Sequence, residues 1–267
     1  MELLNYGFMQ RALLAGLFIG IACPLVGTFL ILKRLSMIGD ALAHVSMAGI
    51  AFGLILGINP TLAALAATGF ASFIINVLEK NFKKYGELSI AIIMSAGLGI
   101  GIILISVGKD ETANVMSYLF GSIIAITMED LLIIIIISLL VLISLTSLYH
   151  KLLFMSFDEE AAMLSGIKVK QLNIYFLLLT AMTVAISIKV TGVLLISALM
   201  TIPASTSLQV AKSFKTTILF SICFSLASVF AGLFLSYYLN WPPGGTIILV
   251  SLFLLLSVLF FKNLSRY

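Results

Sequence analysis

Residues 11–32 read RALLAGLFIGIACPLVGTFLIL, and Lys33-Arg34 follow at once. After Arg11 the run holds only apolar or small residues and Thr28. About 20 such residues, rising ~1.5 Å each, cross the hydrocarbon core of a bilayer. The run is too long for the apolar stretch of a signal peptide, and cations rather than a small-residue cleavage site close it, so a retained helix is expected. The same ruler finds eight more spans, at 40–57, 61–78, 88–107, 130–149, 172–188, 191–209, 214–238 and 246–262. Their connections are short, so residues 1–267 are expected to form one transmembrane domain.

Composition agrees. The chain is 61% hydrophobic and 10% charged, against about 45–50% and about 25% in soluble domains. This excludes a soluble enzyme, a nucleic-acid-binding module and a disordered chain. The net charge of +4 is no sign of a nucleic-acid partner, because the cations segregate. With alternating spans, Lys33, Arg34, Lys80, Lys83, Lys84, Lys151, Lys168, Lys170, Lys212, Lys215, Lys262 and Arg266 fall on one side and only Arg11, Lys109 and Lys189 on the other. Lys and Arg accumulate in cytoplasmic loops, so the C-terminus is expected inside and the N-terminus outside. Cys23 and Cys223 both lie in apolar runs, where free thiols are inert packing. The expected class is an all-α polytopic integral membrane protein with about nine transmembrane helices, in contact with the lipid bilayer.

Some segments depart from plain apolar helix. Leu35–Gly39 is irregular; the seventh span holds Pro203 and hydroxyls at 197, 201, 205, 206 and 207, which predicts a broken or polar helix lining a cavity or packed inside a bundle. The outer loop 108–127 is long, with an apolar stretch at 117–126, and 240–246, NWPPGGT, predicts a rigid external hairpin.

Ten of the eleven acids sit in loops or at span ends; Asp40 alone opens a span that continues through His44. An acid within a span costs about 2.5–3.5 kcal/mol on insertion scales and is kept for a cavity or an ion path. The i, i+4 spacing sets the carboxylate and the imidazole on one helix face, a pair that suits zinc, manganese or iron. The structural alternative is an Asp that caps the helix and a His bonded to a nearby carbonyl. Met37 and Met47 continue the stripe and leave a Cu(I) path open, although Met at helical spacing is ordinary filler. Since His44 must be neutral to ligate, binding of a metal there is expected to weaken as pH falls through its titration.

Residues 157–170, FDEEAAMLSGIKVK, predict a short polar helix between two spans, led by Asp158, Glu159 and Glu160 and ended at Gly166. A helix lying on the bilayer would favour a Lys/Arg-rich polar face, so the leading acids fit a protein-docking helix better. The chain has no nucleotide-binding G-x-x-x-x-G-K-[ST] loop and no H-E-x-x-H or G-x-S-x-G motif; its energy must come from a partner or an ion gradient.

FMQRALLAG (8–16), LKRLSMIGDALAHVSMAGIAFG (32–53), FDEEAAMLSGI (157–167) and GVLLISALMTIPAST (192–206) occur in an order that resembles the bacterial ABC-3 family, the permease subunits of zinc, manganese and iron importers. Ala48 before Gly49 resembles the zinc branch, since manganese and iron relatives commonly carry proline there. The resemblance implies a homodimer of the type II importer fold, similar to vitamin B12 and siderophore permeases, in a bacterial cell membrane. It implies no catalytic residue and no permanent cofactor, with ATP bound and hydrolysed by a separate cytoplasmic ABC ATPase. An extracellular or periplasmic metal-binding protein would deliver the zinc, manganese or iron cargo. By motif match Asp40 and His44 take the metal-coordinating position. Glu160-Ala161-Ala162 with Gly166 matches the E-A-A-x-x-x-G pattern of the ATPase-docking helix, whose interface would run over Asp158, Glu159, Glu160, Ala161, Ala162, Gly166 and Ile167. A gradient-driven secondary carrier would have no use for a docking helix, and an intramembrane metalloenzyme would need a fuller ligand set.

Overall fold

The computed structural model describes residues 6–82, 86–108, 117–122 and 125–264. Lys83, Lys84, Lys109 and Arg266, counted among the loop cations, lie outside these residues, as do 109–116 and 123–124 of the outer loop. Apart from a short helical turn at 117–120, the α-helices among the described residues are, in chain order, α1 (Gly7–Leu32), α2 (Ile38–Leu56), α3 (Pro60–Asn81), α4 (Gly86–Val107), α5 (Met128–Ser147), α6 (Tyr149–Phe157), α7 (Glu159–Leu164), α8 (Val169–Thr191), α9 (Ile196–Val210), α10 (Phe214–Leu239) and α11 (Pro243–Leu264). Among the described residues nine segments are long and apolar enough to cross a membrane, namely α1 to α5, α8, α9 with the turn before it, α10 and α11. Each coincides with a predicted span to within a few residues. The short connections bring the chain back to the same two faces, so Lys33, Arg34 and Lys168 share what is called here the basic end.

The layering follows from burial. In α1 and α8, 72% of the apolar window is buried, against 22% in α4 and α11. The first two, with α2, form the centre, and the outer helices turn large apolar side chains such as Ile102, Ile103, Phe253 and Phe260 outward. Lipid is as apolar as these side chains, so helices associate through close backbone approach rather than through hydrophobic burial. Small residues stand at the crossings. A Cβ on Gly27 of α1 would collide with the Met200 carbonyl of α9, and Gly49 and Gly53 of α2 rest on Ala63, Ala64 and Ala67 of α3. Gly97 of α4 meets the backbone of Val45 on the other flank of α2.

Three expectations are corrected. The seventh span is not broken at Pro203, which sits inside a continuous α9. The break falls earlier, at Gly192, whose φ of +81° turns the chain into a single 3-10 turn, Val193–Leu195. The external hairpin is shorter than 240–246. Asn240 takes the left-handed conformation, Pro243 already opens α11, and Gly244 within that helix serves close approach to the Thr191 carbonyl. The polar segment 157–170 is not one helix either: α6 precedes it, α7 covers only Glu159–Leu164, and α8 begins at Val169.

Candidate functional site

Helix α1 ends where Leu35 N donates to Leu30 O and Arg34 N to Ile31 O, a Schellman closure that puts Arg34 at φ +58°. A turn of a few residues then leads into α2. Asp40 stands in the first turn of α2, at the basic end rather than deep in the span. His44 follows one turn on, roughly 6 Å further along the axis. Met37, not Asp40, occupies the cap position, and no side chain caps the helix. Neither Asp40 nor His44 forms a side-chain hydrogen bond with another described residue, and His44 Nδ1 is buried without a partner. The structural alternative, a capping Asp and a carbonyl-bonded His, is therefore not what the chain adopts.

The surroundings single out this face. Ala41, Leu42, Ala43, Ser46 and Met47 are buried, whereas Asp40 and His44 are half-exposed. Met47 is only 6% exposed and sits against Gly101 of α4, so the methionine stripe does not continue along the open face. Gly39 packs on Ser197 of α9. That contact brings the start of α9 to the first turn of α2; along α9 Ser197, Thr201 and Ser205 are half-exposed, while Thr206 and Ser207 are buried in the bundle. The open face of α2 thus offers one carboxylate and one imidazole. Among the described residues no group of three His, Cys, Asp or Glu side chains comes together to hold a metal. One chain brings a single carboxylate and a single imidazole together there.

The second predicted site is built by capping. Asp158 Oδ1 accepts from Ala161 N at 2.9 Å and starts α7. At the other end Ile167 N donates to Ala162 O at 3.1 Å and Gly166 N to Met163 O at 3.0 Å, with Gly166 at φ +82°. The E-A-A-x-x-x-G spacing is thereby explained. Ala162, fully buried, is the residue whose carbonyl closes the motif, and Gly166 occupies the left-handed position that side chains resist. Glu159 and Glu160 are exposed, Ala161 and Ile167 half-buried. Phe157, Met163 and Leu164 are 69%, 49% and 90% exposed around them. The short helix thus shows large apolar side chains beside two acids.

Two polar networks escaped the sequence reading. At the end opposite Lys33, Asp130 of α5 is nearly enclosed. Its Oδ2 accepts from Lys189 Nζ of α8 at 2.5 Å, Thr127 Oγ1 at 2.5 Å and Thr127 N at 3.0 Å, and its Oδ1 accepts from Thr61 Oγ1 of α3 at 3.1 Å. Lys189 also lies 5.4 Å from the Tyr118 ring centroid. Removing one partner of a buried pair strands the other charge, which costs about 3–5 kcal/mol. Asp130→Ala is therefore expected to lower the thermal unfolding midpoint in detergent strongly, and Asp130→Asn combined with Lys189→Met to recover much of the loss. An unchanged midpoint in Asp130→Ala would show that the pair is solvated.

At the basic end Lys33 Nζ donates to Asn173 Oδ1 of α8, and Asn173 Nδ2 donates to Glu79 Oε2 of α3 at 3.5 Å. Lys33 also lies 5.5 Å from the Phe176 ring centroid. Burial pulls the Lys33 ammonium below its ordinary range, while Glu159 and Glu79 hold it up. The only advance sign of either network was a charged or amide residue near a span end.

Residues 5–262 match the model of the ABC 3 transport family. The chain is 38% identical over 264 residues to a "probable metal transport system membrane protein" of Treponema pallidum, covering 99% of both. It is 35% identical to the manganese import system permease protein ScaB of Streptococcus gordonii, over 98% of this chain and 94% of that one. To the high-affinity zinc uptake system membrane protein ZnuB of Haemophilus influenzae it is 30% identical, over 93% and 95%. Among solved structures, PsaBC from Streptococcus pneumoniae superposes with a TM-score of 0.89 at 30% identity, over 100% of this chain and 96% of that chain.

Proposed function

The chain belongs to the ABC 3 transport family, and from that premise we propose that it is the membrane-spanning permease of an ATP-driven importer for a divalent transition metal, zinc first. The observation that carries the proposal is the Asp40–His44 pair, half-exposed among buried neighbours in the first turns of α2 and without a side-chain hydrogen bond to another described residue. A dication gains nothing from an apolar span and needs both charge and ligands there. Zinc takes four ligands from nitrogen, sulfur and carboxylate oxygen, and each chain offers two. A homodimer that faces two α2 helices across its axis would supply two carboxylates and two imidazoles, neutralising the ion and filling its shell.

Energy enters at the other site. The basic end is read as cytoplasmic from its cations, which puts α7 where a cytoplasmic ABC ATPase can bind and the Lys189 end outside, where a metal-binding protein would release the ion. The N-terminus then lies outside and the C-terminus inside the bacterial cell membrane. Entry into an inside-negative cell at 100 mV is worth about 4.6 kcal/mol for two charges, too little to scavenge a trace metal, so coupling to ATP is required. A purely gradient-driven carrier would leave α7 without a role.

Manganese is the second reading of the cargo, favoured by the Streptococcus gordonii relative at 35% identity. Competitive uptake in a bacterium lacking its own transporters, supplied with this chain, its ATPase and its binding protein, separates the two. Zinc uptake little affected by excess manganese is expected. Manganese uptake in its place would keep the mechanism and overturn the weight given to Ala48, and uptake of neither would overturn the proposal.

A further inference from the structure

A cavity of about 630 Å³ opens at the basic end, between the α5–α6 junction and the start of α8. Lys151, Ser165, Lys168, Gln171 and Tyr175 line it, all of them exposed, and no acid among the described residues does. Neither lysine forms an ion pair or a side-chain hydrogen bond with another described residue, whereas at the same end Lys33 bonds Asn173 and Lys262 bonds Gln209. Deeper in the span, about 9 Å along α8 from Val169, the Tyr175 hydroxyl lies 2.8 Å from Ser144 Oγ of α5. Tyrosine is the side chain of the membrane–water boundary, with an apolar ring and a polar tip. Leu178 and Met182 follow it on the same face of α8, half-buried among buried neighbours. Leu178 rests against Gly69 of α3, and Leu140, one turn from Ser144 on α5, is 42% exposed. Two unpaired cations, a boundary tyrosine and an apolar track thus follow one another from the membrane surface inward.

We propose that this cavity holds the headgroup of an anionic phospholipid, its phosphate between Lys151 and Lys168 and its chains along Tyr175, Leu178 and Met182. The proposal rests on reading the basic end as cytoplasmic, where the leaflet is anionic and each lysine near it adds to the attraction. The volume falls within the range of small-molecule sites, about 300–1,000 Å³. A free phosphate would be served by the lysines alone and has no use for the apolar track. An acidic surface of a cytoplasmic partner could meet the lysines too, but the track runs into the span, where only lipid reaches. Ser165, Gly166 and Ile167, which close α7, line the same cavity. A lipid seated there steadies the end of that helix from the membrane side.

The test titrates the purified full chain, in one detergent, with dioleoyl phosphatidylglycerol and separately with dioleoyl phosphatidylcholine, counting bound lipid by native mass spectrometry. Phosphatidylglycerol is expected to bind about 30-fold more tightly, from two basic side chains at the ordinary strength of such contacts. Lys151→Gln combined with Lys168→Gln should bring the two lipids level, while Lys151→Arg combined with Lys168→Arg should keep the preference. Both lysines are exposed, so neither pair of substitutions disturbs packing. Equal binding of the two lipids by the wild type overturns the proposal, as does a preference that survives the glutamine pair. Displacement of the lipid by equimolar glycerol phosphate would assign the lysines to a free phosphate and overturn it as well. Loss of the ATPase from pull-downs of the glutamine pair, with the lipid preference unchanged, would give the cavity to that partner instead. The titration needs neither metal nor ATPase, so its failure leaves the transport reading untouched.

Discussion

Metal uptake is expected to fall by more than about 100-fold when Asp40 or His44 is replaced by alanine, since loss of a direct ligand should exceed the 10–100-fold typical of losing a ligand's supporting partner. The two losses differ in kind. Asp40→Ala removes the charge that lets a dication reside near an apolar span, so Asp40→Asn, which keeps an oxygen and loses the charge, should be nearly as damaging. His44→Ala removes the nitrogen that distinguishes a transition-metal site from a calcium or magnesium one. Both side chains are half-exposed and make no hydrogen bond with another described residue. Their removal should therefore leave thermal stability and ATPase binding at wild-type levels, and uptake measured beside those two controls isolates the site. Normal uptake in either variant would sink the assignment.

The second large effect is expected at Gly166. Proline there lacks the N–H that donates to Met163 O, and its ring fixes φ near −65° where the chain needs +82°. The Schellman closure cannot form, α7 loses its end, and the ATPase is expected to be lost from pull-downs of Gly166→Pro. Gly166→Ala keeps the N–H and pays only the left-handed penalty of about 1–2 kcal/mol, so it should weaken co-purification without removing it. Glu160→Lys tests the same surface without touching the backbone. Glu160 is exposed, so reversing its charge acts on a partner and not on packing. Full co-purification with normal ATPase stimulation in both Gly166→Pro and Glu160→Lys would contradict a docking role for α7.

The nine spans were legible because a membrane imposes one length and one composition on every segment that crosses it. Asp40 and His44 were legible because they depart from that composition at helical spacing, and the α7 cap because Asp158 and Gly166 are local signals within a few residues of what they terminate. Tertiary pairing was not. Asp130 and Lys189 lie 59 residues apart, and each alone looks like an ordinary charge at a span end. Only the packing of α5 against α8 shows that they neutralise each other. Lys33, Asn173 and Glu79 are hidden for the same reason. Pro203 misled in the opposite direction. Proline predicts a break, but the chain breaks at Gly192, where a positive φ is required, and α9 absorbs its proline within the bundle.

On the proposed mechanism, the transported ion is held by Asp40 and His44, shared between two chains. X-ray absorption at the zinc edge on the purified permease–ATPase complex, with metal content determined in parallel, tests it most directly. One zinc per two chains is expected, with imidazole nitrogens at about 2.0–2.1 Å and carboxylate oxygens completing four-coordination, and with that signal gone in Asp40→Ala and in His44→Ala. A zinc shell without imidazole, or one that survives both substitutions, would contradict it.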